Sequence, residues 1–272
     1  MTNLRRVAIA ALTMAALAIG GAKAGSTTNY SDQWWSQNES GWAVSVQQQA
    51  DVLFVSLLVY GTDGKPTWFT ATAPLQQGSD PGHMVFTGDL YLTNGPYFAT
   101  QWSPSALTYR KVGTLTFVGS GPDRATLTYS VDGTPVSKSL IRQTWRYERI
   151  DGAYLGAWSA DRANCIQGPA NETRFEEPVT ITVEADGNNL VTVTLRFGDG
   201  ASETITGAYT QSGHLGRIDG EFDYTHHLGY ISISEIAFTS AGFTARFEGD
   251  LVSARWRDWC DMRNGRIAGI LR

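Results

Sequence analysis

The stretch Ala125-Thr126-Leu127-Thr128-Tyr129-Ser130-Val131-Asp132-Gly133-Thr134 decides the fold of this chain. Ala125, Leu127, Tyr129 and Val131 alternate with Thr126, Thr128 and Ser130. A period of two puts the apolar set on one face of a β-strand and the hydroxyls on the other. The run stops at Asp132-Gly133, a pair that accepts the positive φ angles of a tight hairpin. The stretch therefore predicts a half-buried antiparallel strand that turns back on itself.

The same pattern extends outward. Val179-Thr180-Ile181-Thr182-Val183 alternates, as do Val191, Val193, Leu195 and Phe197, and later Phe243, Ala245 and Phe247. Asp-Gly recurs at 63–64, 151–152, 186–187, 199–200 and 219–220, and each pair reads as a turn. Beyond the leader, no segment longer than ten residues has helical periodicity with caps. Many short strands at even spacing predict an all-β fold of two antiparallel β-barrel or barrel-like sandwich domains. Strand-like runs end near Tyr147 and a new series opens at Tyr154, which sets the boundary near 149–152. The expected division is a signal peptide over 1–24, an N-terminal β domain over 25–150 and a C-terminal β domain over 151–272. One continuous sandwich is the alternative.

Composition narrows the setting. The chain has 272 residues, only 17% of them charged, with 9 Trp, 11 Tyr, 11 Phe and 29 Gly. That aromatic content with so little charge excludes a disordered linker protein. Arg5 and Arg6, the apolar run Val7–Gly20 and Ala22-Lys23-Ala24 have the form of a cleaved secretory signal peptide. Removing it takes away three cations and no acid, moving the net charge from −5 to −8. An acidic chain without a Lys/Arg cluster argues against nucleic acid and against an anionic lipid site. Export places the protein in the periplasm or outside the cell. There Cys165 and Cys260, the two cysteines present, are expected to form one disulfide. Two buried free thiols are the alternative. Two Cys and four His give no zinc-ligand spacing, so no metal and no cofactor is expected.

The stretch that follows the leader is distinctive: Trp34-Trp35-Ser36-Gln37-Asn38-Glu39-Ser40-Gly41-Trp42, then Gln47-Gln48-Gln49, then Gly61-Thr62-Asp63-Gly64-Lys65-Pro66-Thr67-Trp68. With Phe86-Thr87-Gly88-Asp89-Leu90-Tyr91 and Ser139-Leu140-Ile141-Arg142-Gln143-Thr144-Trp145, it resembles a family of exported β-rich proteins of Gram-negative bacteria marked by a W-W-x-x-x-E-S-G-W opening. Gln37 and Ala43 depart from that family's usual Pro and Gly. The resemblance implies export and an all-β fold, and it carries over no catalytic residue.

Several constellations invite a functional reading. Trp34, Trp35, Glu39, Trp42, Trp68 and Trp102 are the candidate ligand-binding residues, forming an aromatic-walled site with Glu39 as its polar contact. The alternative has Trp34 and Trp42 plugging a barrel, with Glu39 bonding loop amides or an Arg. Glu39 as a general acid lacks a partner carboxylate placed by sequence. Gln48 faces away from Gln47 and Gln49 and would need partners if inward. The irregular stretch Asn94–Leu107, with Tyr97, Phe98 and Trp102, is either a contact surface or a cap on a barrel end. His226-His227 near Glu221 and Asp223 fits a metal poorly, because adjacent strand residues face apart. On 254–260, Arg255, Arg257 and Trp259 share one face, a solvated face or an anion or glycan contact; Trp256 and Cys260 share the other. Nucleophile-elbow, P-loop and H-E-x-x-H motifs are missing. These readings converge on a non-enzymatic binding module for a glycan, peptide or small apolar ligand. A structural or surface-interaction protein of the envelope, and a hydrolase using Glu39, are the alternatives.

Overall fold

The structure is a computed structural model that describes residues 28–80, 82–166, 173–224, 227–253 and 258–272. The leader, Asn171-Glu172, His226 and 254–257 lie outside the described residues, as do the side chains of Asp223, His227 and Trp259. The metal reading of His226-His227 and the Arg255–Trp259 face therefore have no structural counterpart here.

The chain forms two closed eight-stranded antiparallel barrels. The first runs β1 (Asp32–Trp35), β2 (Ala43–Gln49), β3 (Val52–Tyr60), β4 (Pro66–Pro74), β5 (His83–Asn94), β6 (Thr108–Ser120), β7 (Arg124–Val131) and β8 (Thr134–Arg142). Pairing of Trp34 with Arg142 and Trp35 with Ile141 closes it. The second runs β9 (Gly152–Ala163), β10 (Thr173–Ala185), β11 (Leu190–Phe197), β12 (Ser202–Ser212), β13 (Leu215–Tyr224), β14 (His227–Thr239), β15 (Gly242–Ser253) and β16 (Asp258–Leu271). Pairing of β16 with β9, for example Ile267 with Trp158, closes that one. Residues 143–151 connect them.

Alternation explains both cores. In β7, Ala125 and Leu127 are buried, while Thr126 and Thr128 face outward. The hairpin closes where the sequence signals it: Val131 pairs with Thr134, and Asp132 and Gly133 both have positive φ, 47° and 85°. Leu53, Val55, Leu57, Phe86, Leu90, Leu115, Phe117 and Leu127 fill the first lumen. Trp158, Phe175, Phe197 and Phe247 pack as a ring cluster in the second. Asp219-Gly220 corrects the turn reading, because it lies inside β13, with Gly220 opposite Gly207 of β12. The two glycines let the strands approach where side chains would collide. Cys165 and Cys260 form the expected disulfide, tying the chain just after β9 to β16 across 95 residues.

The barrels meet at a polar joint. Arg142 ends β8 with its side chain inside the first barrel, its guanidinium 4.6 Å from the centroid of the Trp34 ring. It donates to the carbonyls of Asn29, Ser31 and Pro122 and to Asp32 Oδ2. The same Asp32 oxygen accepts from the His214 backbone N–H at 3.0 Å and lies 2.8 Å from His214 Nδ1, in the β12–β13 hairpin of the second barrel. Gly213 N–H donates to Thr144 Oγ1, and Gln211 Nε2 donates to the Arg146 carbonyl. Thr28 Oγ1 reaches Glu235 of β14 at 2.9 Å.

Candidate ligand-binding site

The far end of the first barrel, opposite the joint, is formed by the loops at 36–42, 61–65, 95–107 and 132–133. A turn from Ser36 to Glu39, closed by a 3.0 Å backbone bond, opens the first of these. Gly41 follows at φ 105°, a conformation open to glycine, as the chain passes the ring of Tyr60. That bend aims Glu39 and Trp42 at one point over the barrel mouth.

A third side chain meets them there. In β8, Val136, Lys138, Leu140 and Arg142 form the inward row, and Lys138 stands opposite the buried Leu127. Its ammonium reaches Glu39 Oε2 at 2.6 Å and lies 5.6 Å from the centroid of the Trp42 ring. Trp42 Nε1–H donates to the same oxygen at 2.9 Å. Both bonds end on Oε2, leaving Oε1 without a protein donor among the described residues. Lys138, aided by Trp42 against a smaller opposing effect of desolvation, holds the Glu39 carboxyl below its ordinary range. Burial, with the Glu39 charge adding to it, pushes the inward Tyr129 phenol up. The result is a neutral ion pair under an indole face at an open mouth. Its Lys138 and Glu39 side chains remain 27% and 41% exposed.

The six expected ligand-binding residues do not form one site. Glu39 and Trp42 do come together. Trp34 is fully buried at the opposite end of the lumen, where Nε1–H donates to the Tyr30 carbonyl at 2.9 Å. Trp35 is half-buried in β1. Trp68 sits on the outer wall opposite Leu58, and Trp102 lies exposed on the β5–β6 loop. Gln48 is the inward glutamine, and its Oε1 accepts the Tyr30 N–H at 2.8 Å. Lys138, Asp32, Arg142 and His214 were not among the expected site residues, nor was Tyr129, read only as part of the apolar face of its strand. The signal for the two cations was present: both interrupt an inward apolar row at period two, so each needs an acceptor inside the barrel.

Among the described residues of the second barrel no lysine–carboxylate pair lies over a tryptophan ring. The described interior void of that barrel, about 20 Å³, is lined by Val183, Val193, Ile218, Ile233, Phe243 and Ile267 among others. That is room for one water and too apolar to hold it. Among the described residues no cluster of His, Cys, Asp or Glu could hold a metal ion, and no helix is long and apolar enough to cross a membrane. No known protein family, curated protein or solved structure matches the chain.

Proposed function

We propose that this chain is an exported binding module whose first barrel takes a neutral, hydroxyl-bearing ligand, a glycan, at the mouth formed by Glu39, Trp42 and Lys138. The observation that carries the reading is Lys138: an inward lysine paired with Glu39 and lying over Trp42 at an open barrel end. A sugar ring presents an apolar C–H face to an indole and hydroxyls to flanking charges. Glu39 Oε1 accepts from one hydroxyl, and the ammonium donates to another. The pair is already neutral, so a charged ligand gains little there. The lumen beneath is filled by apolar side chains, among them Leu57, Leu115 and Leu127.

Glu39 fits this role better than acid catalysis. A carboxyl held low by Lys138 and Trp42 is ionised at neutral pH and is a poor proton donor. Export rests on the signal-peptide pattern of 1–24 and on the Cys165–Cys260 disulfide, a bond suited to oxidising compartments.

The test is intrinsic fluorescence titrated with a panel of neutral oligosaccharides and peptidoglycan fragments. At least one saccharide should shift the emission saturably, and Trp42→Ala and Lys138→Met should each abolish the shift while circular dichroism stays unchanged. Absence of any saccharide response, or a response intact in both variants, would overturn the proposal.

A further inference from the structure

The β5–β6 loop carries a second feature of the same barrel end, independent of the Glu39–Lys138 pair. Between Asp89 and Arg110 the sequence has no Asp, Glu, Lys, Arg or His. The charges that bound this stretch are paired with each other or with a neighbouring hairpin: Lys111 Nζ binds Asp89 at 2.7 Å, and Arg110 pairs with Asp132. The loop is long, 95–107, and its only regular piece is a single 3-10 turn at Pro104–Ala106. Loops of this length with so little regular structure are uncommon in compact domains unless they have a task.

Two rings at the tip of this loop project from the protein, while Trp102 and Leu107 lie back against Gly95. Phe98 is 90% exposed, with Tyr97 beside it at 4.5 Å between ring centroids. Trp102, Leu107 and Tyr109 are exposed as well. A phenyl ring open on nearly every side is not one wall of a pocket; it is a convex tip. Leaving such a ring in water forgoes the stabilisation that covering it would bring.

We infer that this loop docks the first barrel onto the interface of a lipid bilayer of low surface charge. A bilayer interface accepts protruding rings without a matching concave shape. Phe reaches the acyl boundary, while the polar edges of Trp and Tyr stay among the headgroups. The stretch has no charge to desolvate. A glycan would need polar side chains converging around the rings to read its hydroxyls, and Phe98 has no such surround. The net charge of −8 that remains without residues 1–24 disfavours an anionic surface, so phosphatidylcholine-like headgroups fit best.

The test is co-sedimentation of the processed chain, residues 25–272, with phosphatidylcholine vesicles, alongside Phe98→Ser and Tyr97→Ser in the same chain. The expected result is binding that survives high salt, weakens when phosphatidylglycerol is added, and falls roughly tenfold or more in Phe98→Ser, as loss of one buried ring implies. Brominated lipid should quench the wild-type fluorescence and quench Trp102→Phe less. No sedimentation with vesicles, equal sedimentation of Phe98→Ser, or binding that requires anionic lipid and vanishes in salt would overturn the inference. So would a vesicle-free dimer lost in Phe98→Ser, which would assign the tip to a second copy of the chain. The saccharide response at Trp42 should persist in Phe98→Ser, so failure of one reading is distinguishable from failure of the other.

Discussion

Two tryptophans eight positions apart perform opposite tasks in the first barrel. Trp34 and Trp42 look equivalent in the sequence, both in the same dense block of rings. Trp34 lies on β1, opposite Arg142, and its ring is sealed at the joint end. Trp42 follows the Gly41 bend and stays half-buried at the mouth. The sequence shows which residue types gather, but the site depends on which end of a barrel each one reaches. That requires strand pairing between β1 and β8, more than a hundred residues apart. The same long-range pairing hid Lys138 and Arg142. Arg142 permits a sharp prediction. Its buried guanidinium serves three carbonyls and Asp32. Arg142→Met strands those acceptors and leaves the Asp32 carboxylate without its buried partner. Thermal or urea unfolding should show a loss of about 3–5 kcal/mol, the cost of breaking a buried ion pair. A change near zero would mean that water replaces the guanidinium freely.

At the scale of elements, the strands were the legible part. Alternation located the faces of β7, β10, β11 and β15, and Asp-Gly located the hairpin at 132–133. Closure into barrels was not legible, because alternation is the same in a sandwich and in a barrel. Asp219-Gly220 failed as a turn for a related reason: a glycine required by a close strand neighbour looks the same in sequence as one required by a bend. The disulfide gives the element-scale prediction. It fastens the chain just after β9 to β16, adjacent strands at the closure of the second barrel, across 95 residues. Removing it with Cys165→Ala and Cys260→Ala should destabilise the second barrel by about 4–5 kcal/mol on the chain-entropy account. Hydrogen exchange should then show faster opening of β9–β16, with protection of the β2–β7 core much less affected. Uniform loss across both barrels would instead make the two a single cooperative unit.

At the scale of the whole molecule, the joint couples the barrels through one carboxylate. Burial raises the Asp32 pKa, but His214, the Gln33 amide and the Arg142 charge more than offset it and hold it below its ordinary value. A carboxyl depressed in the folded state stabilises above its unfolded pKa and loses that contribution as pH falls through the folded one. The stability gap between wild type and Asp32→Asn should therefore be full at neutral pH and shrink below about pH 4. Melting temperatures of the two proteins across that range measure it; a gap that does not change with pH would contradict the coupling. Glu235 in the same interface has the opposite sign, since burial raises its pKa. Its contribution is greatest in acid and lost as pH rises, so only the difference between variant and wild type isolates Asp32.

The mouth of the first barrel stands at the far end from this joint, and the central claim is that a glycan binds there. The most direct measurement is the set of tryptophan indole N–H signals in a two-dimensional ¹⁵N–¹H spectrum, assigned by single substitutions and followed through a saccharide titration. The Trp42 signal should move saturably as its Nε1–H, bonded to Glu39, senses the ligand. The buried Trp34 and Trp158 signals should stay in place. Saturable saccharide binding that leaves the Trp42 signal unmoved, or that shifts only Trp68 or Trp102, would contradict the account.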